Sequence, residues 1–463
     1  MPEETKSLES GAGQGGAPGL MDNLRTFGRA SRGFWLVNSV NFGDGIAYFG
    51  FLGLLTLFLQ KNAGFTTGGA TMGVSLFSGL VTLTMALGGG WISDRLGVRR
   101  ALSLSMFIIL VGRVLLVGSP GLGAEFLVQA VAWASLVVMA AGEGIVQPAL
   151  YSGVKEYTDS RAATLGYAFL YSIMNLGIVV GELLSPFVRE KWAAWIEGVD
   201  VNEVPTAGIS GSYWFFIGIT AIVLLVNLFA FTKKVEERDR SVVEKPEEDA
   251  HLSFWRKLRS LPIMDARFLF FIFILLPVRT LFAHQFLTMP DYVTRAFPPE
   301  VGRYWEWVYA INPAVIVIGV PLIAAFTQRR KVLNMMIAGT TVSALASFIL
   351  VPETSVTLLV AYMVIWSLGE AIWSSRFLEY VANLAPAHRV GIYMGIAGIP
   401  WFLAKTVTGF YAGSMLEKYV PVSGPQDPGT LWLIYGLTAL ATPIGLVAAR
   451  KWLGRVEEPR SRL

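Results

Sequence analysis

Twelve stretches of mostly apolar residues, each about 20 residues long, run through this 463-residue chain and constrain its fold more than any other feature. A helix needs about 20 such residues to cross the hydrocarbon core of a bilayer. Only 15% of the residues are charged, whereas a typical soluble domain carries about 25%. The chain therefore has too few polar side chains to cover several water-soluble domains. We predict an all-α, polytopic membrane protein.

The stretches form two sets of six, separated by the longest polar segment of the chain. The first set covers 34–60, 70–93, 101–118, 124–150, 162–188 and 210–232, and the second covers 267–290, 304–327, 332–351, 357–384, 390–416 and 430–449. We predict an N-terminal tail over 1–33, a six-helix bundle over 34–232, a linker over 233–266, a second six-helix bundle over 267–451 and a C-terminal tail over 452–463.

The basic residues are distributed unevenly between the two sides of the predicted membrane. If both termini lie on one side, that side carries 27 of the 37 Lys and Arg residues, while the loops of the other side carry 6. Loops rich in Lys and Arg stay in the cytoplasm. We therefore predict that both termini and the linker are cytoplasmic, in a cytoplasmic or plasma membrane.

The sequence argues against several classes of function. It contains no cysteine and three scattered histidines, so we predict no disulfide, metal site or iron–sulfur cluster. No phosphate-binding loop, nucleophile elbow or zinc-protease pattern occurs. We therefore expect no enzymatic activity, no cofactor and no nucleic-acid partner. The partners that we expect are a small solute, protons and the lipid bilayer, and we expect the protein to be a monomer.

The loop between the second and third stretches carries a dense motif, GGGWISDRLGVRR (88–100). Glycines permit close helix approach, and a carboxylate can accept bonds at a neighbouring helix N-terminus. The alternative is an ordinary cytoplasmic loop, which would account for the arginines alone. The spacing resembles the loop signature of the major facilitator superfamily, which implies a fold of two six-helix bundles. The residues that carry it are Gly90, Asp94, Arg95, Gly97 and Arg99.

Ionisable and polar residues inside the apolar stretches are costly in lipid and are usually functional. Asn41, Asp44 and Tyr48 share one face of the first predicted helix. By the same spacing, Glu143 lies with Gln147 in the fourth, and Asn175 lies with Glu182 in the fifth. Such polar faces point away from lipid, towards a cavity or another helix. Other ionisable residues within the stretches include Arg113, Arg279, His284, Glu370, Arg376, Glu379 and Lys405.

Two segments combine Gly or Pro with polar residues, GEGIVQP (142–148) and LLPVRTLF (275–282). Interrupted helices in transporters often flank the binding site. We predict that the fourth and seventh helices are interrupted at these segments.

Several further blocks resemble motifs of the proton-coupled oligopeptide transporters. The block NFGDGIAYFG (41–50) is similar to that family's E-x-x-E-R-F-x-Y-Y-G motif. FLYSIMNLGIVVG (169–181) and YAINPAVIVIGVPLIA (309–324) are similar to its motifs on helices 5 and 8. The clearest match is SLGEAIWSSRFLEYVANLAPAHRVGIYMG (367–395) on helix 10. The resemblance extends from the first helix into the eleventh.

The resemblance implies a divided substrate site. Asn175, Asn312 and Glu370 match the family residues that hold the amino end and backbone of a peptide, and Tyr48 matches the motif tyrosine. The basic residues that face the substrate carboxylate are replaced by Gly45 and Gln147. Replacement cations are available at Arg279, Arg113 and Arg376, and spacing does not decide between them.

Proton coupling is the second property that the resemblance implies. The acidic residue of helix 7 aligns with His284, whose reference pKa of about 6.5 suits proton exchange. A contact between His284 and Asp44 would join helices 7 and 1. The alternative is a neutral histidine that is hydrogen-bonded in a helix interface. Asp44, Glu143 and Glu182 are the other candidates for coupling.

These features together predict a secondary active transporter. It would carry a small, amine-bearing, peptide-like solute by alternating access, coupled to protons. The first alternative is an exporter of drugs or amphiphiles, which the aromatic content of 13% favours. The second is a non-transporting receptor built on a transporter scaffold, which the altered motifs favour.

Overall fold

The computed structural model describes residues 30–157, 163–240, 264–327, 330–384, 393 and 396–454. Most of both predicted tails, and residues 241–263 of the predicted linker, lie outside these ranges. The described residues form helices joined by turns, with no strand among them.

Twelve long helices follow one another along the chain, and each coincides with one predicted stretch. They are α1 (Arg32–Lys61), α2 (67–96), α3 (Val98–Gly118), α4 (Glu125–Tyr157), α5 (Ala163–Trp192), α6 (Ile209–Phe229), α7 (Ala266–Leu287), α8 (Trp305–Thr327), α9 (Val332–Ala346), α10 (Val356–Leu384), α11 (Ile399–Tyr419) and α12 (Pro428–Ala448). Judged by length and composition only, nine helices in the described part of the chain could cross a membrane. The prediction of an all-α membrane protein is confirmed.

The first helix crosses the fifth at backbone contact. Ser31 begins α1 by accepting a hydrogen bond from the Phe34 N–H, and the helix widens into a π-turn over Gly45–Phe49. A Cβ atom at Gly45 would lie 2.5 Å from the carbonyl oxygen of Met174 on α5. A residue larger than glycine at position 45 would therefore force the two helices apart.

The two predicted interruptions have different outcomes. The seventh helix is interrupted as predicted: it ends at Ile274 and begins again at Leu276. The prediction for the fourth helix is wrong, because α4 is continuous and contains Pro148. Gly144 serves close packing there, since a Cβ atom at that position would lie 2.1 Å from Thr84 Oγ1 on α2.

Helices α1–α6 and α7–α12 form two bundles that meet along α2 with α11, α5 with α8 and α1 with α7. We call the face where α1 begins and α12 ends the terminal face, and the other the opposite face. Near the opposite face, Gln60 Nε2 donates to Asp291 Oδ2 at 2.8 Å, and Arg295 Nη2 donates to Gln60 Oε1 at 3.0 Å. Ser75 Oγ donates to the carbonyl oxygen of Lys405 at 2.5 Å. These contacts close the seam between the bundles towards the opposite face.

A short linker helix, Lys233–Asp239, is fastened to the first bundle at the terminal face. Glu236 Oε2 pairs with Arg99 Nε at 3.0 Å. The Gly33 N–H donates to Asp239 Oδ2 at 2.8 Å. The hydrogen bond from Arg238, together with that from Gly33, lowers the pKa of the Asp239 carboxyl. The beginning of the predicted linker is thus part of the first bundle's surface.

Candidate functional site

A carboxylate and an amide meet on facing helices of the second bundle. Asn312 on α8 donates through Nδ2 to Glu370 Oε2 on α10 at 2.7 Å. The same Nδ2 lies 3.0 Å from Ser367 Oγ, one turn before Glu370. Glu370 is buried, with 7% of its surface exposed, and its contacts among the described residues include no ion pair. Among the described residues, this buried carboxyl group therefore has a neutral hydrogen-bond donor and no protein cation.

The residues matched on α5 and α1, Asn175 and Tyr48, make no hydrogen bond to Glu370 among the described contacts. Asn175 is buried and donates to the carbonyl oxygen of Tyr171 on its own helix at 2.9 Å. Tyr48 packs edge-on against Phe49, with ring centroids 5.0 Å apart. Tyr309 of α8 links the region, since it lies within electrostatic range of Tyr48, Glu182 and Glu370. The structure therefore joins Asn312 to Glu370 directly and leaves Asn175 bonded within its helix.

A second charged group lies inside the first bundle. Arg113 on α3 pairs through Nη2 with Glu143 Oε1 on α4 at 2.9 Å, and its Nη1 donates to Thr220 Oγ1 on α6. Arg113 also attracts Asp44 on α1 electrostatically, and Asp44 Oδ1 is buried without a hydrogen-bond partner. Arg113 thus pairs with Glu143 and lies within electrostatic range of Asp44 without an ion pair to it. We call Asp44, Arg113, Glu143 and Thr220 the α1–α3–α4 cluster.

The cluster shows how α1 is supplied with a cation although its motif (41–50) has glycine at position 45 in place of arginine. Position 45 holds glycine, and the carbonyl oxygen of Met174 occupies the space that a side chain would need. The cation beside Asp44 comes instead from Arg113. Gln147 is partly buried, one turn beyond Glu143 on α4, and carries no positive charge.

His284 does not contact Asp44, so that predicted contact is wrong. The imidazole lies inside the second bundle, where Nδ1 is 2.7 Å from Thr288 Oγ1 and Nε2 is 3.2 Å from the Tyr411 hydroxyl. Its ring stacks on Tyr435 with centroids 3.7 Å apart. Both ring nitrogens have neutral partners in the seams of α7, α11 and α12. These contacts match the alternative of a hydrogen-bonded histidine in a helix interface.

Two other predicted residues have incomplete hydrogen bonding. Glu182 on α5 is fully buried, and neither carboxylate oxygen has a hydrogen-bond partner among the described residues. Arg279 on α7 is also fully buried. Its Nη1 approaches the carbonyl oxygen of Ala397 at 3.5 Å, while Nε and Nη2 have no partner within the described ranges.

An ion pair between the bundles escaped the sequence analysis. Arg189 at the end of α5 donates from Nη1 to both carboxylate oxygens of Glu306 at 2.8 Å, and Ser185 donates to the same carboxylate at 3.2 Å. Arg189 directly follows the predicted stretch 162–188 and is one of the six Lys and Arg residues assigned above to the loops of the other side, and Glu306 is not among the predicted site residues. The available signal was an acidic residue inside the apolar stretch 304–327.

The loop motif forms a tight turn between α2 and α3. Gly97 has a φ of +78°, which favours glycine. Arg95 lies over the Trp91 ring at 5.2 Å, and Arg99 pairs with the linker helix. Gly90 begins the last helical segment of α2. The side chain of Asp94 lies outside the described part of the chain, so its predicted capping role stays a prediction.

Residues 37–409 match the sequence profile of the Major Facilitator Superfamily. This chain belongs to that superfamily. Two bundles of six helices and the loop motif of α2–α3 agree with the assignment, and the predicted resemblance is confirmed.

Named relatives of this major facilitator protein include peptide permeases. It is 24% identical to dipeptide and tripeptide permease A of Escherichia coli (strain K12), over 91% of this chain and 92% of that protein. It is 23% identical to the protein of the same name from Cronobacter turicensis, with 88% of each chain covered. An uncharacterized MFS-type transporter of Bacillus subtilis, YhjO, is 21% identical over 72% of this chain and 74% of that protein.

Solved structures agree on the fold. A peptide transporter POT in complex with sulfate matches with a TM-score of 0.69 at 17% identity, covering 94% of this chain and 99% of that one. A POT family transporter in complex with 5-aminolevulinic acid matches with a TM-score of 0.68 at 16% identity, covering 92% and 97%. At these identities the likeness concerns the fold alone.

Proposed function

We propose that this protein is a secondary active transporter of small, amine-bearing, peptide-like solutes, coupled to protons. The names of its relatives, the two-bundle fold and the acidic site in the second bundle support the proposal. We further propose that the terminal face, with most of the basic residues, is cytoplasmic. The described conformer is then closed towards the outside.

The Asn312–Glu370 contact is the observation that carries the proposal. One neutral donor, Asn312, orients the carboxylate, and no described cation neutralises it. A buried carboxylate is costly unless it is paired, and an ammonium group from a substrate supplies the missing charge. Attraction between these groups is stronger away from water than in it. The site therefore favours a primary amine, such as the amino end of a short peptide.

The α1–α3–α4 cluster supports proton coupling. When both Asp44 and Glu143 are ionised, Arg113 compensates one charge and leaves one negative charge over. Like charges that share a buried site favour uptake of a single proton, which belongs to the pair rather than to either residue. Proton uptake at the cluster and substrate binding at Glu370 would then bias the same rocking of the two bundles.

Glu182 is a second proton-binding candidate, at the seam itself. The Glu182 Oε1 atom lies 3.3 Å from the position that a Cβ atom on Gly53 would take, in a seam closed by Trp305 and Tyr309. With neither oxygen hydrogen-bonded, the ionised form is costly while the bundles stay together. Separation of α5 from α8 would let water reach this carboxylate.

Export of lipophilic amines is the second candidate function. Phe282, Trp366 and Trp401 form an aromatic group in the second bundle, in which the Phe282 centroid lies 5.0 Å from that of Trp401 and 6.3 Å from that of Trp366. Aromatic faces attract organic cations, so the same carboxylate could serve larger amines.

Counterflow in proteoliposomes tests the proposal without relying on proton coupling. Vesicles preloaded with unlabelled trialanine should take up labelled trialanine faster than empty vesicles. Lipophilic amines that suppress this exchange and are themselves carried would favour the second candidate. Ligand binding without exchange of any solute would identify a receptor instead.

A further inference from the structure

Arg279 occupies an aromatic box in the interior of the second bundle. Its guanidinium carbon lies 4.3 Å from the ring centroid of Phe377, 4.9 Å from that of Trp401 and 6.0 Å from that of Trp373. These rings come from α10 and α11, while Arg279 belongs to α7. Trp401 is partly exposed, whereas the other two rings are buried. Trp401 is therefore the ring of the three that is not fully buried.

The guanidinium keeps unused donors inside this box. Nη1 makes one long contact of 3.5 Å to the carbonyl oxygen of Ala397. Nε and Nη2 are buried and have no partner in the part of the chain that the structure describes. No ion pair of Arg279 occurs among the described residues. Aromatic faces offset part of the cost of burying a cation, but they accept no strong hydrogen bond. A buried cation with free, coplanar N–H donors is incomplete without an anion.

The structure distinguishes Arg279 from the other two arginines that could replace the lost basic residues. Arg113 already pairs with Glu143 at 2.9 Å and donates to Thr220. Arg376 donates to Thr327 Oγ1 at 2.9 Å. Arg113 Nε also lacks a partner among the described residues, but Arg113 has a carboxylate beside it. Arg279 has two such donors, Nε and Nη2, and no ion pair among the described residues.

The box lies on the same face of α10 as the acidic site. Glu370, Trp373 and Phe377 are spaced by three and four residues, which places them along one side of a helix. Three to seven residues of helix correspond to about 5–10 Å along its axis. An extended peptide spans about 3.3–3.6 Å per residue, so two or three residues would reach from Glu370 to Arg279.

We propose that Arg279 is the carboxylate subsite of the transport site, and that the substrates are zwitterionic di- or tripeptides with both ends held by the second bundle. The inference rests on the proposed function, because it assigns the second end of the same solute. The Nε and Nη2 donors form a fork that matches the two oxygens of a carboxylate. The first bundle, which has Gly45 and Gln147 in place of the basic residues, contributes no charge to that end.

The test compares one peptide in two chemical forms. Binding of trialanine with a free carboxyl group and of trialanine amide is measured on the purified full chain by isothermal titration calorimetry. Both carry the same amino end. We expect the free acid to bind at least about tenfold more tightly than the amide, as a charge-assisted contact predicts. Equal affinities would overturn the inference while leaving an amine-binding site in place; failure of both forms to bind would instead count against the proposed function.

Two variants locate the preference. Arg279→Met keeps an adaptable apolar side chain among the rings, and should bind acid and amide equally, with the affinity for the amide unchanged. Because the substitution removes an unpaired buried charge, the thermal midpoint of the ligand-free protein should rise. Arg279→Lys should retain part of the preference for the acid. Arg376→Gln, which removes another arginine of the same bundle, is the control and should retain the full preference. If Arg279→Met still prefers the acid to the amide as strongly as the wild type does, the inference is overturned, whatever the thermal midpoint of the variant. If Arg279→Met fails to fold, the wild-type comparison and Arg279→Lys still decide.

Discussion

The amide nitrogen of Asn312 lies 2.7 Å from Glu370 Oε2 and 3.0 Å from Ser367 Oγ, so one side chain on α8 ties together two positions on α10. Ser367 in turn donates to the carbonyl oxygen of Met363 at 2.5 Å. The carboxylate is therefore fixed in orientation by a chain of neutral hydrogen bonds, and its charge is available to a ligand.

Replacement of Glu370 by glutamine should remove that charge while keeping the shape of the side chain. We expect Glu370→Gln to lose most of its affinity for peptide amines, because the ammonium group then lacks a counter-ion. The glutamine carbonyl can still accept from Asn312, so the protein should remain folded. Calorimetric titration with trialanine amide measures the loss, and size-exclusion profiles check the fold. Unchanged affinity would refute the assignment of the amine site.

Replacement of Asn312 by alanine should weaken binding indirectly. The carboxylate loses its orienting donor, and an unsatisfied buried group costs about 1–3 kcal/mol. We expect a loss of that size in ligand affinity, measured in the same titration. Asn175→Ala is predicted to weaken binding as well, although its amide bonds within α5. If stability falls in either variant while affinity stays unchanged, that asparagine serves packing alone.

The sequence predicted the helices and the acidic site, since each depends on local information. Twelve apolar stretches define twelve helices, and motif matches on two helices assigned Asn312 and Glu370 to one predicted site; their direct contact comes from the structure. The α1–α3–α4 cluster could not be predicted, because it depends on how three helices cross. Nothing at position 45 signals that Met174 fills the space of a missing arginine.

Residues near helix ends were the least predictable. Arg189 was counted as a loop cation, yet α5 extends to Trp192 and buries it against Glu306. His284 was expected near Asp44 by analogy, but packing of α7 against α11 and α12 gives it Tyr411 and Tyr435. In both cases tertiary contacts, which hydropathy does not encode, set the partner.

Neutralising Asp44 should separate proton coupling from transport. Asp44→Asn removes one of the two carboxylates that share Arg113, so the cluster no longer needs a proton to reach neutrality. We expect peptide exchange to persist and accumulation driven by a pH gradient to disappear. His284→Gln is the comparison: its neutral partners predict that accumulation survives. Loss of accumulation in the histidine variant, with Asp44→Asn unaffected, would return coupling to His284.

The ion pair at the opposite face should hold the bundles together. Glu306→Gln leaves the Arg189 charge buried without its carboxylate, which should destabilise this closed conformer by roughly 3 kcal/mol. The chain contains no cysteine, so single cysteines can be labelled without background. Thr56→Cys replaces a residue that bonds across the seam to the carbonyl oxygen of Phe286, and should react faster with maleimide in the Glu306→Gln background. Ser135→Cys, buried inside the first bundle, is the control; equal rates at position 56 with and without the substitution would contradict this role.

Accumulation of labelled trialanine in proteoliposomes under an imposed pH gradient tests the central claim most directly. With the lower pH outside, wild-type vesicles should concentrate the peptide above its external level, and a protonophore should abolish the excess. Glu370→Gln vesicles should show neither accumulation nor exchange. The account would be contradicted if wild-type vesicles, containing folded protein that binds the peptide, showed no flux under the gradient and none in counterflow.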